Sequence, residues 1–194
     1  ADIISIMEDE KALRILLLMG HSKVAQIIPL MQTNKQINLI LNMKEADSAK
    51  IFLNIDKSLL EGIVSIIPSL QMANIIFNIK DDMAVADILS SISEKTAAGI
   101  FDVVAELRLQ VMPEIRLQKI ISCMSWSKVA SVMSVMEENK AVEILSKVEK
   151  LKLNKLIQKI PQPIQKNVLK TFLKEEAVEI LLMPEYSKVV EFIS

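Results

Sequence analysis

The chain has one cysteine, one histidine and three glycines among 194 residues, and each scarcity removes a class of function. A lone Cys123 cannot close an internal disulfide, so a hydrophobic core must hold the fold. Cys123 is flanked by Ile120, Ile121 and Met124, which reads as a buried structural thiol. His21 has no second imidazole for a zinc cluster and no nucleophile in recognisable spacing, so it reads as a turn or cap residue. Gly20, Gly62 and Gly99 are scattered and form no phosphate-binding loop. Aromatics are only 4% of the chain, which leaves Ile, Leu, Val, Met and Ala to build the interior. With a net charge of −1 there is no global attraction to nucleic acid or membrane. The longest apolar stretches, such as Ile15–Met19, fall far short of the ~18 residues a spanning helix requires, so no transmembrane segment is expected. A first residue of Ala is compatible with a removed signal peptide; a cytoplasmic placement is favoured and secretion stays open.

What the chain has in abundance is repetition. From Glu8 to Ser194 it divides into fifteen units of about twelve residues, the last truncated, with one extra residue at Lys80 and eight extra at Ala105–Met112. A fixed period is the mark of a repeat architecture. Positions eight and nine are apolar in every unit, as in Ile51/Phe52, Ile88/Leu89 and Leu156/Ile157. Position five is apolar except at Gln36, Ser48 and Gln165, and position twelve is usually Met, Ile or Val. Spacing of i, i+3, i+4 and i+7 describes one face of an α-helix and not the alternation of a strand.

Cap and turn residues (Asn34, Ser58, Pro68, Pro113, Ser127, Pro161) fall in the first three positions. Each unit is therefore a short helix and a tight turn, marginal alone because isolated helices under ~12–15 residues are not stable in water. Packing must supply the rest. Short connections make successive helices antiparallel, which predicts an all-α solenoid of about fifteen short helices in stacked hairpins, one domain over 1–194. The insertion continues the helical spacing, predicting a longer helix over 94–112 between sub-lobes 1–104 and 113–194.

Charged residues give three candidate features. Acidic clusters at unit starts, such as Glu8-Asp9-Glu10 and Glu137-Glu138, suit the positive end of a helix dipole. Asp81, Asp82 and Asp87 are the candidates for a magnesium site, since Lys80 breaks the period just before them. The third feature is a lysine-rich stretch, Lys147, Lys150, Lys152, Lys155, Lys159, Lys166, Lys170 and Lys174, opposed within it only by Glu149. It reads as a solvated face or as a docking surface for an acidic partner or membrane headgroups; with no arginine and Phe172 its one aromatic, it does not suit nucleic acid. Methionines at position twelve, among them Met19, Met31, Met43, Met124 and Met136, read as core, with a Met-lined groove for an apolar ligand as the other reading.

The segments ENKAVEILSKV, SWSKVASVMSVM and KEEAVEILLMP resemble the short-helix repeats of the intracellular N domain of MgtE-type magnesium transporters. They are also similar to repeats of the flagellar motor switch protein FliG and the flagellar motor chaperone MotE. Ala141–Leu145 and Ala177–Leu181 carry the likeness best. The transporter resemblance implies a regulatory, magnesium-sensing module joined to sensor domains and a pore. None of that family's ion-binding carboxylates can be placed on this sequence. The flagellar resemblance implies a scaffold whose exposed helix faces meet protein partners. The expectation is a non-enzymatic protein-binding scaffold without a resident cofactor, with magnesium sensing or apolar-ligand carriage as alternatives.

Overall fold

The computed structural model describes residues 2–106, 113–172, 176–178 and 180. Among them are fourteen α-helices, one 3-10 segment and no strand, as the apolar spacing requires. The helices are α1 (Asp2–Ile6), α2 (Asp9–Met19), α3 (His21–Ile27), α4 (Thr33–Asn42), α5 (Glu45–Phe52), α6 (Lys57–Val64) and α7 (Ser69–Phe77). They continue with α8 (Asp82–Ser91), α9 (Glu94–Glu106), α10 (Glu114–Cys123), α11 (Trp126–Val135), α12 (Glu138–Ser146), α13 (Lys150–Ile157) and α14 (Gln162–Lys170); the 3-10 turn is Ile28–Leu30. Each helix from α2 onward begins at position two of its unit. Asp56, Asp81 and Ser125 cap α6, α8 and α11 through side-chain oxygens that accept backbone N–H groups at the helix start. Gly20 links α2 to α3 at φ +86°, a conformation that side chains resist.

The apolar columns form one core. Leu39, Ile51, Ile63, Ile75, Ile88, Ile100, Ile120, Val132, Ile144, Leu156 and Val168 hold position eight and are all buried. Position nine packs beside them through Phe52, Ile76, Phe101 and Leu145. Met31, Met43, Met124 and Met136 are buried at position twelve, so these methionines fill the corners between helices.

The polar exceptions at position five are also accommodated. Gln36 is buried and donates from Nε2 to the carbonyls of Met31 (2.9 Å) and Pro29 (3.3 Å) at the end of the 3-10 turn. Gln165 donates to the Ile157 carbonyl at 2.5 Å while its neighbour Ile164 enters the core. Ser48 is buried, and its hydroxyl has no hydrogen-bond partner among the described residues.

Helices pack on the neighbour two units away, which sorts them into two layers. One is an unbroken series, α3 on α5, α5 on α7, α7 on α9, α9 on α11 and α11 on α13; the other contains α2 on α4, α6 on α8, α8 on α10 and α12 on α14. The layers differ at position six. In the first it is Ala25, Ala49, Ala73, Ala98, Ala130 and Asn154, every one buried; in the second it is Leu13, Ile37, Glu61, Ala86, Gln118, Val142 and Lys166, of which only Ala86 is buried. Small side chains let the first-layer helices approach closely. The structural repeat is thus the 24-residue pair of units.

The insertion acts within this scheme. Helix α9 is described through Glu106, and the remainder of the predicted 94–112 helix, at 107–112, lies outside the described residues. As far as it is described, α9 packs on α12 as well as on α7 and α11, and Glu106 accepts from Lys140 of α12. Cys123 corrects the sequence expectation. As the last residue of α10, at position eleven, it is exposed and not a core thiol.

Candidate functional site

The corners where one unit ends and the next begins carry a repeated polar contact. A side chain at position two meets one at position four of the unit two ahead, in the same layer. Asp9 accepts from Lys35 at 2.6 Å, Asp82 from Arg116 at 2.9 Å and Glu94 from Lys128 at 3.0 Å. Two corners reverse the polarity: His21 Nε2 lies 3.2 Å from Asp47, and Lys150 Nζ lies 2.5 Å from Glu176. Position seven supplies further partners, with Asn38 donating to Asp9 at 2.9 Å, Lys57 to Asp87 at 2.8 Å, and Asn167 to Glu138. Sequence separation is 26 residues at Asp9–Lys35, His21–Asp47 and Lys150–Glu176. It is 34 at Asp82–Arg116 and Glu94–Lys128, which enclose the eight inserted residues. Inside the insertion Glu106 joins the series through Lys140, at 2.6 Å.

Three of these cations also close helix ends. Lys35 donates to the Met7 carbonyl, Lys128 to the Ile92 carbonyl at 2.5 Å, and Arg116 to those of Phe77 and Ile79. One cation thus satisfies the carbonyl end of a helix and faces the acid at the start of the next, the arrangement that both helix dipoles favour. The hydrogen bond from Lys35 holds the Asp9 carboxyl below its ordinary range, and that from Lys128 does the same for Glu94. The Glu106 bond raises the Lys140 ammonium. Burial pushes Glu61 up, but hydrogen bonds from Ser93 N (2.6 Å) and Thr96 Oγ1 (2.9 Å) overcome it and leave the group lowered.

Asp102 behaves in the opposite way. Burial raises it; Lys140 opposes that rise, Glu106 and Glu137 add to it, and its Oδ1 is buried without a hydrogen-bond partner among the described residues. A carboxyl raised in the folded state weakens folding when ionised, and that penalty fades as pH falls through its folded pKa. Asp102→Asn is therefore expected to raise the melting temperature at pH 7 by roughly 2–4 °C, the shift that relieving ~1 kcal/mol produces in a domain of this size. The gain should shrink as the scan is repeated toward pH 4. An unchanged gain at acid pH would show that the charge is not its cause.

The predicted site residues fall into separate settings. Asp81 caps α8 through the backbone N–H groups of Met83 and Ala84, Asp82 meets Arg116, and Asp87 meets Lys57. Each carboxylate thus has a different protein partner. Among the described residues no group of three or more His, Cys, Asp or Glu side chains is placed to hold a metal ion.

The lysine stretch divides. Lys147 pairs with Glu114 at 3.7 Å, Lys150 with Glu176, and Lys152 with Glu149 at 3.0 Å. Lys155, Lys159, Lys166 and Lys170 are exposed and have no carboxylate within 4.0 Å among the described residues; Lys174 lies outside them. Lys159 lines an open groove of about 610 Å³ across α11, together with Glu94, Ser127, Ala130, Ser131, Ser134 and Val135. Its Nζ is 3.4 Å from Ser127 Oγ.

Fold and surface together define an all-α helical-repeat stack. No family model, curated protein or solved structure matches the chain. Among the described residues no helix is long and apolar enough to cross a membrane.

Proposed function

We propose that the protein is a non-enzymatic scaffold that binds protein partners, and that one docking edge is formed by Lys155, Lys159, Lys166 and Lys170. The observation that carries this reading is that these four lysines, on the successive helices α13 and α14 and the turn after α13, are exposed and have no carboxylate partner among the described residues. Their neighbours Lys147, Lys150 and Lys152 are each ion-paired. Exposed like charges contribute little to folding but attract an acidic surface and speed its encounter. The serine-lined groove beside Lys159 adds hydroxyl donors and acceptors to this edge.

Changing all four lysines to Glu tests the reading. Helicity and melting temperature should stay close to wild type, while capture of a stoichiometric protein partner in a pull-down should fall at least tenfold. The wild-type interaction should weaken with added salt and the remaining interaction of the variant should not. Anionic vesicles serve as the second arm. Binding to vesicles without a protein partner would replace the scaffold by a membrane-surface role, and unchanged partner affinity in the variant would remove these lysines from the interface.

A further inference from the structure

At three corners a cation at position four donates both to the acid at position two and to the position-twelve carbonyl just before that acid. Lys35 does so to Asp9 and Met7, Arg116 to Asp82 and Ile79, and Lys128 to Glu94 and Ile92. The corner between α5 and α7 keeps the acid and the carbonyl but not the cation. Its acid is Glu45, the carbonyl before it belongs to Met43, and position four is Gln71. The other acids at position two all have partners: Asp9, Asp82 and Glu94 as above, Glu114 in Lys147, and Glu138 in Asn167. Glu45 has no hydrogen-bonding or ionic partner among the described residues, and no side chain among them donates to the Leu41 or Met43 carbonyl.

At this corner lies a pocket of about 300 Å³, lined by Met43, Glu45 and Gln71 beside Ile40, Leu41 and Ile75. Ile40 and Ile75 belong to the core, and Leu41 is 42% exposed. The acid and the carbonyls of Leu41 and Met43 hold positions two, ten and twelve, as Asp82 and the carbonyls of Phe77 and Ile79 do around Arg116. Such a set suits a planar cation with several donors, and the apolar lining suits its stem. Lys44 also lines the pocket and has no carboxylate partner among the described residues, so its charge opposes a cation there without pairing Glu45.

We infer that this pocket binds a guanidinium carried on an aliphatic stem, in the role that Arg116 plays at its own corner. A partner protein's arginine side chain and a free alkylguanidine share that chemistry. The site does not depend on the lysine edge of α13 and α14.

The probes are n-butylguanidinium and N-acetyl-arginine methylamide, titrated into the full chain and followed through backbone amide chemical shifts. Saturation is expected with a Kd on the order of 0.1–1 mM, moving the amides of Met43, Glu45 and Gln71. Capped arginine binding as tightly as butylguanidinium assigns the site to a partner's arginine; binding of butylguanidinium alone assigns it to a free ligand. n-Butanol, which keeps the stem without the charge, should bind at least about tenfold more weakly. Glu45→Gln should weaken guanidinium binding about tenfold, since it removes the charged acceptor, and should move the melting temperature by less than ~3 °C. Gln71→Arg supplies the cation from within the chain, so it should abolish probe binding and raise the melting temperature by about 2–4 °C. Lys44→Ala should tighten binding about twofold. No saturable binding of either probe at tens of millimolar, undiminished binding to Glu45→Gln, or undiminished binding to Gln71→Arg would overturn the proposal. So would weaker binding to Lys44→Ala, which would mark the site as one for anions.

Discussion

Leu145→Asp and Ile76→Asp are each expected to abolish cooperative folding or to cost at least ~4 kcal/mol, whereas Lys57→Ala should change stability by less than ~0.5 kcal/mol. Both apolar residues sit at position nine with no measurable exposure, enclosed by their own layer and the facing one. An aspartate there has no cation or donor to meet it. Lys57 is 64% exposed and its pair with Asp87 is 65% exposed, so solvent screens most of that attraction. Since a domain of this size has only ~5–15 kcal/mol of total stability, the core variants should separate from the surface variant in any urea or thermal unfolding series. Similar melting temperatures for all three would refute the assigned register.

The second large effect is expected at Arg116. Its guanidinium reaches Asp82 and the carbonyls of Phe77 and Ile79, and it is 22% exposed, so the group is partly shielded and fully used. Arg116→Met keeps the aliphatic stem but leaves the end of α7 and the start of α8 without their shared donor. The expected cost is about 2–4 kcal/mol, larger than for any exposed ion pair, because partly buried acceptors are left unsatisfied. Native-state hydrogen exchange should show where it falls: amides of α8 and α10 should lose protection before those of α3 and α5. Uniform loss across the chain would mean that the corner does not act locally.

The helices and their inward faces were legible in the sequence because burial acts on every unit alike. Ile51/Phe52 and Leu156/Ile157 announce the same face a hundred residues apart. The two-layer arrangement also left a sequence mark, Ala25, Ala49, Ala73, Ala98 and Ala130, visible once position six is compared in alternate units. The corner contacts were harder to read. Their partners are 26 to 34 residues apart, so a local count of charges misses them. That is why Lys147–Lys174 looked like one basic surface. Glu114 and Glu176 reach Lys147 and Lys150 from other units, Glu149 takes Lys152, and only Lys155, Lys159, Lys166 and Lys170 remain without carboxylates among the described residues. Cys123 was misread for a related reason: apolar sequence neighbours do not decide which way position eleven points on a helix.

That polar corners as well as apolar columns set the register is tested most directly by a double-mutant cycle on Asp82→Asn and Arg116→Met, measured by urea unfolding of the full chain. A coupling energy of about 1–3 kcal/mol is predicted, because the two side chains meet at 2.9 Å and each is less than a quarter exposed. Additivity within ~0.5 kcal/mol would contradict it and leave the helix stack to its hydrophobic core alone.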